Sequence, residues 1–126
     1  MDKQFKGFLS YLSGRLGEND ACSFLRKKGY TLVQKNFRPK KGCGANELDL
    51  IMLDKKTLVF VEVKKRTDLQ TAACVIDERL QKRLFKGAEA FLSQNPKYAG
   101  YDCRFDVVLI DVDKNIQHLQ NVVEEI

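Results

Sequence analysis

The sequence predicts an α/β fold, a small sandwich in which helices cover a β-sheet. Residues 16–28 and 77–93 carry apolar residues at helical spacing, while several shorter stretches are rich in β-branched and aromatic residues. The two kinds follow one another as helix, three strands, helix, then one or two strands, an order that suits two packed layers. A chain of 126 residues can bury one core without disulfide or metal staples, so a single domain over residues 1–126 is expected.

Each element has its own signal. Ala21, Cys22, Phe24 and Leu25 share a stripe within Leu16–Lys28, and Gly29 stands just past the end, where a left-handed residue commonly closes a helix. Upstream, Phe5, Phe8, Leu9 and Leu12 suggest a further helical turn or two, interrupted near Gly14 and Gly17. Tyr30–Phe37 alternates as a strand, and Arg38-Pro39-Lys40-Lys41-Gly42-Cys43-Gly44 reads as a loop by its Pro and Gly content. Glu47–Leu53 and Thr57–Lys64 are strands, with Asp54-Lys55-Lys56 short enough for a hairpin. Arg66–Ile76 has weak periodicity and reads as loop. Over Asp77–Ser93, Leu80, Leu84, Ala88, Phe91 and Leu92 fall on one helical face, with Pro96 beyond. Cys103–Val112 is a strongly apolar strand, and Ile116–Val123 is a candidate last one.

Composition excludes several classes. Hydrophobic residues at 44% and charged residues at 31% fit a globular protein and not a disordered or fibrous one. Apolar runs such as Leu58–Val61 and Val107–Ile110 are too short to span a membrane, and the N-terminal segment has no apolar core of a secretory signal. A cytoplasmic protein is expected. Cys22, Cys43, Cys74 and Cys103 are far apart and have only His118 as an imidazole partner, so they read as small apolar residues and not as zinc ligands or disulfides. The net charge is +5, unevenly spread: between Asp20 and Glu47 no acid interrupts Arg26, Lys27, Lys28, Lys35, Arg38, Lys40 and Lys41. Such a one-sign stretch suits a phosphate backbone, the alternative being a solvated basic face.

The informative residues are charges inside the apolar strands. Alternation puts Glu47, Asp49, Ile51 and Leu53 on one face, and Leu58, Phe60, Glu62 and Lys64 on one face of the next strand. A hairpin turning about Lys55-Lys56 sets Asp49 opposite Glu62, with β-carbons about 5 Å apart, and Glu47 opposite Lys64. Facing carboxylates destabilise a half-buried sheet unless something neutralises them. Mg²⁺ or Mn²⁺ does so, since a hard cation takes a few carboxylate oxygens and completes its shell with water and phosphate. Lys64, along the same face, could then hold an attacking hydroxide or stabilise charge on a phosphorane. The alternative is an ordinary Glu62–Lys64 salt bridge. Glu18 lies at the edge of the first helix's apolar stripe and could reach toward the two acids, or simply complement the helix dipole. Gln81, near the start of the second helix, could also look toward the site.

Taken together, GRLGENDACSFLRKKGY, NFR, ELDLIMLD, LVFVEVKKR and RFDVVLI resemble the YraN-like family of bacterial endonuclease-like proteins. That family is placed in the PD-(D/E)XK restriction-endonuclease-like superfamily and is similar to archaeal Holliday junction resolvases. The resemblance covers about Gly14–Ile110 and implies a restriction-endonuclease-like αβββαβ sandwich, with a mixed central sheet and helices on its faces. It implies Glu18, Asp49 and Glu62 as metal ligands, Lys64 as the superfamily lysine, and Glu47 as the acid two residues before the aspartate. Asn36 and Arg38 match its polar motif after the first strand. Arg104, Phe105 and Asp106 match a late segment read here as structural or as contact to the second helix. The sequence departs from the family pattern at Ala45-Asn46, where a Gly commonly precedes the acidic motif, and at Leu80, where a Lys commonly precedes Gln81.

The leading expectation is a Mg²⁺- or Mn²⁺-dependent endonuclease with catalytic Glu18, Asp49, Glu62 and Lys64, acting on nucleic acid and on DNA first. Arg26, Lys27, Lys28, Asn36, Arg38, Lys40 and Lys41 would contact the backbone, with Glu47 and Gln81 in support. The resolvase resemblance favours a homodimer. Two alternatives stand beside it: a non-catalytic nucleic-acid-binding module of the same fold, and a protein-interaction domain whose basic loop meets an acidic partner. No GxxxxGK[ST] loop is present for nucleotide hydrolysis, and His118 has no credible Ser or Cys partner for a nucleophilic triad.

Overall fold

A computed structural model describes residues 17–39, 47–66 and 76–123. The turns expected at Phe5–Leu12, Lys40–Gly44 of the first loop, and most of Arg66–Ile76 lie outside the described residues.

The described part of helix α1, residues 17–27, ends as its sequence requires. Gly29 adopts φ +99°, its N–H donates to the Arg26 carbonyl at 2.9 Å, and the Tyr30 N–H donates to the Leu25 carbonyl at 3.1 Å. This is a Schellman closure, and Leu25 and Tyr30 join the same buried cluster. Strands β1 (Thr31–Phe37), β2 (Leu48–Asp54) and β3 (Thr57–Lys65) follow, then helix α2 (Glu78–Gln94), a 3₁₀ turn at Pro96–Tyr98, and strands β4 (Asp102–Ile110) and β5 (Ile116–Leu119). The α2 start is capped by the Asp77 carboxylate, which accepts the Leu80 N–H at 2.8 Å.

The five strands lie in chain order in one sheet, antiparallel throughout except that β3 and β4 are parallel. A parallel pair needs a crossover, and α2 supplies it. Short of its expected end, β4 stops at Ile110 and not Val112. There the Asp111 carboxylate closes a turn by accepting from the N–H groups of Asp113 and Asn115. Likewise β5 stops at Leu119, after which Asn121 turns through φ +55°.

The sheet is buried on both faces. Leu80, Leu84, Ala88 and Phe91 of α2 pack with Ile51, Leu58, Phe60, Val107 and Leu109, whereas Ala21, Cys22 and Leu25 of α1 pack with Leu50, Met52, Val59, Val61, Val108 and Ile110. Central β3 therefore reads as a continuous apolar run over Leu58–Val61, as a doubly covered strand must. Cys22 is the small core residue expected; Cys103 is exposed at the start of β4, and Cys43 and Cys74 lie outside the described residues. Among the described residues no helix is long and apolar enough to cross a membrane.

The Arg104-Phe105-Asp106 segment divides between the two faces, so only part of it contacts the second helix. Phe105 stacks on Phe60, centroids 5.5 Å apart, and reaches Phe85 of α2 at 6.4 Å. Arg104 and Asp106 alternate onto the α1 face. Fully buried Asp106 accepts from Arg104 Nε at 3.0 Å, Arg104 Nη2 at 3.1 Å, the Asn121 N–H at 3.0 Å and His118 Nε2 at 2.7 Å. Lys28 Nζ stands 2.9 Å from His118 Nδ1. An ammonium only donates, so Nδ1 accepts and Nε2 carries the proton toward Asp106. Burial alone would raise the Asp106 pKa, but the bonds from His118, Arg104 and Asn121 outweigh it and hold the carboxyl below its ordinary value.

Gly87 sets how closely α2 approaches β2. A Cβ there would lie 2.7 Å from Leu48 Cδ2 and 2.8 Å from Leu48 Cγ. Gly87→Ala should gain about 1 kcal/mol of helix propensity yet lose more to the collision, for a net destabilisation of about 1–2 kcal/mol in urea unfolding. A stabilised variant would mean that Leu48 does not limit the approach.

Candidate functional site

The hairpin turns where expected: Asp54 pairs with Thr57, and the register runs through Leu53–Leu58, Met52–Val59 and Ile51–Phe60 to Leu50–Val61. One more step would place Asp49 opposite Glu62, but the ladder ends there. The Asp49 carboxylate Oδ2 instead accepts the Val63 N–H at 2.8 Å. The expected cross-strand pair is thus replaced by a side-chain bond that fills the gap where β2 leaves β3. On its other edge β2 stays paired with β1 at Lys35–Leu50 and Phe37–Leu48, a register that sets Asn36 opposite Asp49. Asn36 takes φ +52°, a conformation asparagine tolerates, and its Oδ1 is buried with no hydrogen-bond partner among the described residues.

Glu62 is 5% exposed. Its Oε1 lies 3.1 Å from Lys64 Nζ and accepts from Arg83 Nη2 at 2.6 Å. The sequence offers the Glu62–Lys64 ion pair as an alternative to a metal site, whereas sequence reasoning misses Arg83. Its signal lay in the helical spacing: position 83 is three residues after buried Leu80 and four before buried Gly87, so it flanks the buried stripe.

Glu18 is half-buried at the start of the described helix, beside Gly17, whose backbone packs against the Lys65 side chain. This crossing of α1 over the end of β3 brings the Glu18 charge within reach of Asp49. Burial first, then repulsion from Glu62 and more weakly from Glu18, push the Asp49 pKa up to about 7, against the opposing pull of the Val63 N–H and Lys64. The structure thus brings Glu18, Asp49, Glu62 and Lys64 into one electrostatic neighbourhood and adds Arg83.

Other expected residues fall elsewhere. Glu47 does not face Lys64; it is exposed, 3.6 Å from Arg38 Nε, because β2 has already left β3 at that level. Gln81 is half-buried in the first turns of α2. Arg26, Lys27 and Lys28 are exposed at the far end of α1, roughly 12 Å along the helix from Glu18. Lys28 is engaged with His118 and lies over the Phe24 ring at 4.8 Å. Arg38 is exposed, and Lys40 and Lys41 lie outside the described residues.

The donor chemistry fits Mg²⁺ or Mn²⁺ in one respect. Asp49 and Glu62 are hard carboxylates crowded enough to raise the pKa of one, and Mg²⁺ is commonly held by one or two carboxylates with water and phosphate. As the side chains stand, no three His, Cys, Asp or Glu residues among the described residues converge into a ready ligand group. Glu62 Oε1 is turned to Arg83 and Lys64.

Residues 17–110 match the pattern of the uncharacterised protein family UPF0102. The chain belongs to that family. A UPF0102 protein of Herminiimonas arsenicoxydans is 42% identical over 114 residues, covering 88% of this chain and 86% of its own. One from Pseudomonas aeruginosa is 43% identical over 100 residues, 78% of this chain and 77% of its own. One from Brachyspira hyodysenteriae is 42% identical over 100 residues, covering 78% and 81%. The UPF0102 span opens one residue before Glu18 and closes at the last residue of β4, so it contains the carboxylates, Lys64 and Arg83.

Because the folded Asp49 pKa of about 7 exceeds its unfolded value, the native state takes up a proton. The associated stability is fully present below about pH 4 and is lost as pH rises through about 7. Carboxyl ¹³C NMR should show Asp49 titrating near 7 in the metal-free protein, and Glu62→Gln should lower that midpoint. Unfolding from pH 5 to 8 should show wild type losing stability relative to Asp49→Asn as pH rises. An Asp49 midpoint near 4 would contradict the crowded-acid geometry.

Proposed function

We propose that this UPF0102 protein is a divalent-metal-dependent nuclease that hydrolyses phosphodiesters in nucleic acid, with DNA as the first substrate to test. The observation that carries the proposal is the placement of Asp49, held by the Val63 N–H, beside buried Glu62 at the strand end where Lys64 also stands, a setting that raises the Asp49 pKa. A carboxylate driven toward protonation beside a second one is an arrangement that binding of a cation relieves. The order α1-β1-β2-β3-α2-β4, with β3 and β4 parallel, supports the restriction-endonuclease-like arrangement implied by the sequence resemblance.

In this reading Asp49, Glu62 and Glu18 hold Mg²⁺ or Mn²⁺, which when bound supplies Lewis-acid polarisation of the phosphate and an acidified water. The Val63 N–H fixes one Asp49 oxygen, so the carboxylate enters the site already oriented. Lys64 acts by its charge, most strongly as negative charge builds on the phosphorane and leaving oxygen. Exposed Arg38 and the basic segment that follows it in the sequence would touch backbone phosphates, which position the substrate without reading its sequence. The second reading, a non-catalytic nucleic-acid-binding module, draws on the double pairing of Glu62 with Lys64 and Arg83, which satisfies that acid without a metal ion.

The test is a panel of labelled linear, branched and single-stranded DNA and RNA, with Mg²⁺, Mn²⁺ or chelator. Cleavage that needs metal is expected, and Lys64→Ala should slow single-turnover cleavage by about 10²–10³-fold while leaving metal affinity nearly unchanged. Cleavage by Lys64→Ala at the wild-type rate would remove Lys64 from the chemistry. Salt-dependent binding with no cleavage of any substrate would favour the non-catalytic module.

A further inference from the structure

Arg83 is the charged group of this site that the proposed chemistry leaves unused. It comes from α2, whose backbone is fixed on both sides of it by buried Leu80, Leu84 and Gly87. Its Nη2 donates to Glu62 Oε1 at 2.6 Å, on the same oxygen that Lys64 Nζ approaches at 3.1 Å. Its Nε is shut away from solvent and has no hydrogen-bond partner among the described residues. The side chain as a whole is 31% exposed, so it stands at the solvent edge of the site. A planar guanidinium has five donors and suits two oxygens of one anion, and its bond to Glu62 engages one of them. A buried donor without a partner is costly, and a movement of the side chain that brings Nε to a second anion would remove that cost.

We infer that Arg83 has two stations. It holds Glu62 as an internal counter-cation while no divalent ion is bound, and it passes to a phosphate oxygen of the nucleic acid once an ion takes Glu62. The inference rests on the nuclease reading above. It makes Arg83 a positioning residue that competes with the metal yet joins metal binding to substrate binding. Removing it should tighten the metal and weaken the coupling, two effects that mere loss of a structural salt bridge would not produce together.

The experiment measures Mn²⁺ binding by calorimetry without nucleic acid, and then the affinity for a cleavage-resistant phosphorothioate DNA duplex with and without Mn²⁺. Wild type, Arg83→Gln and Arg83→Lys are compared, each checked for folding by circular dichroism. Arg83→Gln should bind Mn²⁺ about tenfold more tightly than wild type, the usual scale for a group acting on a metal ligand. Its Mn²⁺-dependent gain in DNA affinity should be largely lost, and by linkage the DNA-dependent gain in Mn²⁺ affinity with it. Arg83→Lys keeps the charge and loses the fork, so it should keep wild-type Mn²⁺ affinity while losing the gain for DNA. Equal Mn²⁺ affinity in wild type and Arg83→Gln would overturn the counter-cation station. If Arg83→Gln fails to fold, an undiminished DNA gain in Arg83→Lys would overturn the phosphate station. No Mn²⁺ uptake by wild type would overturn the nuclease reading itself, an outcome distinct from either.

Discussion

The hydrogen bond from the Val63 N–H to the Asp49 carboxylate is the contact on which the site depends. It forms because the β2–β3 ladder ends at Leu50–Val61 while β2 remains paired with β1. A carboxylate takes the place of a main-chain carbonyl in the ladder, so backbone geometry holds Asp49 without another side chain. The same placement keeps it near Glu62 and away from water. From those two consequences follow the raised pKa and the neighbourhood of Glu18, Lys64 and Arg83.

Two aspartates of the sheet show how differently a fold can treat the same side chain. Asp106 is fully buried on the α1 face yet held below its ordinary pKa, since Arg104, His118 and Asn121 all donate to it. Asp49 is buried with one backbone donor and faces two like charges, so burial first and then repulsion raise its pKa to about 7. The first arrangement ties β4, β5 and Tyr30 together through Arg104, whose Nη2 also donates to the Tyr30 hydroxyl at 2.6 Å. The second stores repulsion. Stored repulsion is what a cation or proton can use, which is why the two networks read as structure and chemistry respectively.

Much of this was legible in the sequence because it depends on local rules. Gly29 marked the end of α1 by its own conformational chemistry, and Lys55-Lys56 set the hairpin register by its length. Alternation alone put Glu62 and Lys64 on one face. The bulge between Leu32 and Gln34 and the parting of β2 from β3 at Asp49 were not legible, because both arise from three strands fitting together. Arg83 hid for a related reason: a basic residue on a basic helix resembles solvated surface until the helix is docked. The Arg104–Asp106–His118 network joins residues separated by a turn and a strand, with Tyr30 far upstream, and no spacing in the sequence announces it.

The central claim is that the Asp49–Glu62 edge takes a divalent cation. Anomalous diffraction from crystals equilibrated with Mn²⁺ tests it most directly, since the peak locates the metal without reference to activity. The account predicts a peak about 2.0–2.2 Å from carboxylate oxygens of both Asp49 and Glu62, lost in Asp49→Asn. No peak there, or one confined to exposed acids such as Asp113 and Glu78, would contradict it.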